Sequence, residues 1–162
     1  MARTAWRRRE FSASLTAWAL LPAVALGKDS ALPVPESLAA VAESATRLGE
    51  PLVLLVTLPG CPFCELVRRS YLLPARQDAG LQAWQLDVNN RRAALLGFDG
   101  KPTTAALQTT VWKASFTPTV LFLGAQGQAL AERLVGIAVP DFYGAYLEDR
   151  LATARKVLAG PR

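Results

Sequence analysis

The 162-residue sequence contains no histidine. That absence excludes imidazole acid–base chemistry, Ser-His and Cys-His catalysis, and zinc, copper or haem sites built on an imidazole ligand. Thioether ligands are lacking too, because Met1 is the only methionine. Cysteine is limited to Cys61 and Cys64, so a four-thiolate zinc site cannot form within the chain. Charged residues are sparse at 19% against 51% hydrophobic, the balance of a globular domain rather than a disordered one. Of the net charge of +5, three units come from Arg3, Arg7, Arg8 and Arg9 set against Glu10. Elsewhere basic residues adjoin only at Arg68–Arg69, Arg91–Arg92 and Arg155–Lys156, too scattered for a nucleic-acid-binding footprint. No internal repeat or low-complexity tract interrupts the chain, whose length suits one domain.

The first thing the sequence does contain is an export pattern. Residues 1–25 join a basic start to an apolar run of roughly 14 residues, and Ala23-Val24-Ala25 forms a small-x-small cleavage site. The run holds Thr16 and Pro22 and falls short of the ~20 apolar residues of a membrane-spanning helix. Arg8-Arg9-Glu10-Phe11 resembles the core of a twin-arginine export signal. A general secretory signal and an uncleaved signal anchor in the inner membrane remain alternatives. All three place the domain outside the cytoplasm, with the periplasm expected, where disulfides persist. Residues 26–35 read as a linker broken by Pro33 and Pro35.

From residue 36 to about 160 the pattern is that of one domain. Residues 36–48 place Leu38, Val41, Ala42, Ala45 and Leu48 at helical spacing. Residues 51–57 form a short apolar run rich in β-branched residues, as in a strand buried on both faces. A helix should open at the cysteines with Pro62 in its first turn and Leu66, Val67, Tyr71 and Leu72 inward, and Pro74 should kink or stop it. Residues 81–88 alternate, with Trp84, Leu86 and Val88 on the packed face. After a loop at 97–102, a helix is expected over 103–113 with Ala106, Leu107, Thr110 and Val111 inward. Strands follow at 116–123 and 129–137 around a turn. A final helix over 140–158 should turn Phe142, Tyr146, Leu147, Leu151, Ala154 and Leu158 to the core. The order α β α β α β β α implies an α/β fold of three layers, with a mixed central sheet between helices.

The cysteines carry the chemistry. As a structural staple, a disulfide closing a four-residue loop contributes only about 2 kcal/mol, against about 4.7 for a 100-residue loop. As a metal site, two thiolates could hold Cu(I) only in two-coordinate geometry, in a dimer, or with a donor partner. The redox reading fits the surroundings better. Cys61 follows a buried strand and begins a helix, where unpaired N–H groups and the positive end of the dipole stabilise a thiolate. That makes it a better nucleophile and leaving group at neutral pH. Cys64, one turn on, is placed to attack a mixed disulfide formed at Cys61. Pro59 and Gly60 form the turn that presents Cys61, and Phe63 is a candidate apolar contact for substrate. About 55 residues later, Pro118 enters an expected strand, whose interior excludes proline.

A helix-opening Cys61-Pro62-Phe63-Cys64 after the first buried strand, with Thr117-Pro118 before a later one, resembles the thioredoxin superfamily over roughly residues 36–158. The resemblance implies the thioredoxin fold and a thiol–disulfide oxidoreductase needing no cofactor or metal. It also implies a cis Thr117–Pro118 bond beside the disulfide, with Pro62, Phe63, Thr117 and Pro118 contacting an extended protein substrate. The Pro59-Gly60-Cys61 turn, the 116–119 stretch and the run from Glu132 to Leu151 look like the periplasmic thioredoxins encoded with sulfur-oxidation genes, of the SoxS and SoxW type. That branch implies a monomeric dithiol reductant of protein disulfides, recharged by a membrane protein of the DsbD or CcdA kind. Residue Glu65 stands where cytoplasmic thioredoxins carry lysine, and the strand position of their buried carboxylate is apolar here. Glu65 is read either as a substitute proton carrier or as an exposed helical glutamate. The pair also resembles the Cys-Pro-Tyr-Cys of glutaredoxins, although their glutathione loop is not evident. A disulfide-donating oxidase, a glutaredoxin-like enzyme and a non-catalytic Cu(I)-binding or assembly module are the alternatives.

Overall fold

The computed structural model describes residues 30–160. The expected export segment, with Arg8-Arg9-Glu10-Phe11 and the start of the linker, lies outside the described residues. Helix α1 (Leu38–Arg47) opens on Ser37, whose hydroxyl accepts from the Ala40 N–H at 3.3 Å. Strand β1 (Leu52–Thr57) is buried at all six positions. It pairs in parallel with β2 (Ala83–Asp87) on one side and antiparallel with β5 (Thr119–Leu123) on the other. A short β6 (Leu134–Val135) completes the order β2-β1-β5-β6, a mixed sheet.

Two faces of this sheet carry two cores. Val53, Leu55, Val120 and Phe122 pack with Val67, Leu72, Leu147 and Leu151. The alternate residues Leu52, Leu54, Val56 and Leu121 pack with Leu38, Ala42 and Ala105. The continuous apolar run of β1 is therefore required, because alternate side chains enter different cores. The result is the expected three-layer α/β/α arrangement. No described helix is long and apolar enough to cross a membrane.

Pro74 does not end the helix that begins at Pro62. The chain runs from α2 (Pro62–Val67) through a π-helical turn (Arg68–Leu72) into α3 (Leu73–Ala79). The Leu73 N–H donates to the Arg68 carbonyl, and Pro74 then occupies the first turn of α3, where a missing N–H costs little. This geometry also changes the inner face. Cys64, Val67, Arg68 and Leu72 are buried, whereas Leu66 is exposed.

Other faces differ from their apolar patterns for identifiable reasons. Helix α4 (Ala105–Val111) buries Ala105 and Thr109 and leaves Leu107 and Val111 exposed. Thr109 can be buried because its hydroxyl donates to the Ala105 carbonyl at 2.9 Å. Helix α5 (Pro140–Ala159) buries Tyr143, Leu147, Leu151 and Ala154, with Phe142 and Tyr146 exposed. Tyr143 sets this face by packing on Tyr71, ring centroids 4.9 Å apart. The expected strand over 129–137 pairs only at Ala129 and over β6. Between these contacts the chain is held by side chains, with Glu132 paired to Arg150 at 2.9 Å and Arg133 donating to the Trp112 carbonyl at 2.8 Å. The loop expected at 97–102 is the tip of a small hairpin, β3 (Leu95–Leu96) with β4 (Pro102–Thr103).

Candidate active site

The cysteines lie where β1 hands over to α2. Gly60 takes φ +75°, a left-handed conformation in which a side chain would be strained, and so turns the chain into the helix. Cys61 is the N-cap, and its sulfur accepts from the Cys64 N–H at 3.2 Å. Sulfur thus occupies the position where a serine or aspartate oxygen caps other helices. Cys61 and Cys64 form a disulfide, their Cα atoms 5.2 Å apart. The two sulfurs differ in access: Cys61 is partly exposed, while Cys64 is fully buried.

Topology brings the loop before β5 to this helix start. The Thr117–Pro118 bond is cis, and the Thr117 hydroxyl lies 3.9 Å from the Cys61 sulfur. Pro118 is buried, and its carbonyl accepts from the Gly136 N–H at 2.8 Å. Residues 56 positions apart therefore meet because β1 and β5 are adjacent in the sheet. Phe63 and Phe116 stand exposed at 58% and 63%. With Thr117, Pro118, Val135 and Ile137 they line a groove of about 380 Å³ beside the disulfide, and none of its lining residues is charged. Pro62 is exposed at the start of α2 and does not line the groove. Val135 and Ile137 were expected in a strand and not at the site. Their alternation along that strand was the only signal that could have placed them on one face.

Charge is arranged behind the cysteines. Glu65 pairs with both Arg68 and Arg69, the latter at 3.1 Å. The Arg68 hydrogen bond is the main reason the Glu65 carboxyl is held below the usual carboxylate range, with Arg69 adding to it against a cost of burial. Glu65 is thus an ionised counter-ion at neutral pH, which disfavours its reading as a proton carrier. Arg68 itself is only 7% exposed. Its Nε donates to Gln85 Oε1 at 2.8 Å and an Nη to Thr57 Oγ1 at 3.0 Å, and it also donates to Glu65. The sequence presented Arg68 as half of a surface basic pair; no local pattern marks it as buried.

Comparison with known proteins agrees with this architecture. The family model described as "Thioredoxin-like domain" matches residues 38–151. Among solved structures, oxidised thioredoxin O2 from Arabidopsis thaliana is similar at a TM-score of 0.50 and 16% identity, covering 75% of this chain and 96% of that one. Oxidised mitochondrial thioredoxin 3 from Saccharomyces cerevisiae is similar at a TM-score of 0.48 and 15% identity, covering 73% of this chain and 94% of its own. No curated protein matches the sequence.

Proposed function

The chain belongs to the thioredoxin-like family and carries a Cys-x-x-C disulfide, which makes it a thiol–disulfide oxidoreductase, and on that premise we propose that it is an exported dithiol reductant of protein disulfides. The observation that carries the reading is the unequal access of the two sulfurs at a helix N-terminus. In the reduced enzyme, the Cys61 thiolate attacks one sulfur of a substrate disulfide. The other substrate sulfur leaves with the electron pair and takes up a proton. Cys64 then gives up its proton, which ends on the second substrate sulfur, and attacks the Cys61 sulfur, so that this substrate sulfur leaves as a thiol. The enzyme dithiol is oxidised to the disulfide, and the substrate disulfide is reduced to two thiols.

The substrate lies along the groove between Phe63 and Phe116, with the Thr117 backbone pairing to an extended segment. An uncharged groove wall favours peptides with apolar residues beside their cysteine. Phe116→Ser should raise KM for such a peptide about 5- to 10-fold with kcat unchanged, from the ~1–1.5 kcal/mol a half-covered ring contributes. An unaltered KM would remove Phe116 from the substrate site.

Export rests on the pattern of residues 1–25, and a membrane protein of the DsbD or CcdA kind would return the electrons. Within the family, the turn at Pro59-Gly60 and the Gly136 to Tyr143 stretch favour the sulfur-oxidation thioredoxins of the SoxS and SoxW type. The deciding experiment is equilibration of the Cys61–Cys64 couple with glutathione. A potential near about −270 mV supports a reductant, and one near about −120 mV makes the protein a disulfide donor instead. Failure of the couple to exchange at all would sink the enzymatic reading.

A further inference from the structure

Arg68 is the one buried charged side chain among the described residues. A guanidinium stays protonated at any pH the protein meets, so this position holds a fixed positive charge. Burying it is costly unless its donors are satisfied. Here the donors are distributed over three elements: Thr57 at the end of β1, Gln85 in β2, and Glu65 on its own helix. The arrangement is too complete to be a stray surface arginine folded inward.

Its location gives the charge something to act on. Arg68 is four residues after Cys64, and its N–H donates to the Cys64 carbonyl. Long helical side chains lean toward the helix N-terminus, over the turn that precedes them. The Arg68 stem therefore lies back along the turn that carries Cys64. Its partners agree with that direction: Glu65 directly follows Cys64, and Thr57 lies four residues before Cys61. Leu55, two residues before Thr57 and paired with Gln85 across the sheet, offers no carboxylate on this face. β1 thus supplies no carboxylate on this face, and the buried guanidinium is tied to the same face of the sheet through Thr57 and Gln85.

We propose that Arg68 is a charge-tuning residue of the dithiol, stabilising the negative charge of the reduced Cys61–Cys64 couple from beneath and thereby favouring the reduced form. Glu65 works against it by partly neutralising the guanidinium, so the pair sets the equilibrium between giving and taking electrons. The proposal rests on the oxidoreductase reading but adds a residue and a direction to it. In the half-reaction, the disulfide takes up two electrons and its S–S bond breaks. One proton goes to Cys64, and Cys61 is left as the thiolate whose charge Arg68 stabilises. A stabilised reduced form makes the couple more oxidising.

The test is the equilibrium of the full chain with reduced and oxidised glutathione, read for the wild type, Arg68→Met, Arg68→Lys and Glu65→Gln. Arg68→Met should disfavour the reduced form about tenfold, equivalent to a potential about 30 mV more negative. Glu65→Gln, at a half-exposed position where folding is not at stake, should shift the equilibrium about two- to fivefold the opposite way. Arg68→Lys keeps the charge but loses the fork that bonds three partners, so its equilibrium should fall between those of wild type and Arg68→Met. Opposite signs for Arg68→Met and Glu65→Gln establish the tuning role. Shifts of the same sign, or no shift for Glu65→Gln, overturn it, even if Arg68→Met fails to fold. A wild-type couple that does not exchange with glutathione would instead refute the oxidoreductase reading itself.

Discussion

Substituting Cys61 by serine is expected to cost about a thousandfold or more in the reduction of insulin disulfides, whereas Cys64→Ser should accumulate covalent complexes with its substrates. The asymmetry follows from access. Cys61 is partly exposed at the head of α2 and next to Thr117, so an incoming disulfide can reach it. Cys64 is fully buried and can meet only a sulfur already attached to Cys61. Serine at 61 removes the nucleophile, and a hydroxyl cannot replace a thiolate there. Serine at 64 leaves the first attack intact and removes the second, so the mixed disulfide persists. Neither substitution should unfold the domain, because a disulfide across this short loop contributes only about 2 kcal/mol. Non-reducing gels of Cys64→Ser recovered from cells, with and without dithiothreitol, check the prediction. Wild-type turnover by Cys61→Ser, or an absence of dithiothreitol-sensitive complexes with Cys64→Ser, would show that the roles are misassigned.

What could be read from the sequence was whatever a short window displays by residue type. Cys61-Pro62-Phe63-Cys64 and Thr117-Pro118 are such windows, and the apolar run of β1 predicts the strand that carries both cores. The layer order and the mixed sheet followed from element order alone. What the sequence hid depends on contacts between distant elements. Arg68 is buried because Thr57, Gln85 and Glu65 meet it from three elements, a convergence that none of those residues signals in the sequence. The faces of α4 and α5 were misread where a side chain bearing a hydroxyl takes the inner position. Thr109 satisfies itself within its helix, and Tyr143 finds Tyr71, so both displace more apolar candidates from the core. Pro74 did not stop the helix, because a π-helical turn let the chain pass it. The far wall of the groove, Val135 and Ile137, belongs to a segment that mostly leaves the sheet.

Phe122→Ala is expected to destabilise the oxidised protein by about 3–5 kcal/mol, a large share of the ~5–15 kcal/mol available to a domain. Phe122 is 1% exposed and is the fourth of the five residues of β5. Its ring packs in the core that Val67, Leu72, Leu147 and Leu151 share, so truncation leaves a cavity between the sheet and the helices of that face. The loss has a functional side, because β5 holds the Thr117–Pro118 loop against Cys61 and also anchors β6. Val120→Ala, closer to that loop, removes less volume and should cost less stability while disturbing the same strand. Urea unfolding of the two variants, with the slope unchanged from wild type, gives the comparison directly. If Phe122→Ala lost less than about 1 kcal/mol, the ring could not be filling the core as placed, since burying a phenylalanine alone contributes more than that. A large loss in Phe122→Ala together with wild-type glutathione equilibrium at low temperature would separate two properties of this fold. The strand fixes where the groove stands, while the charges around Cys64 set how readily the disulfide is reduced.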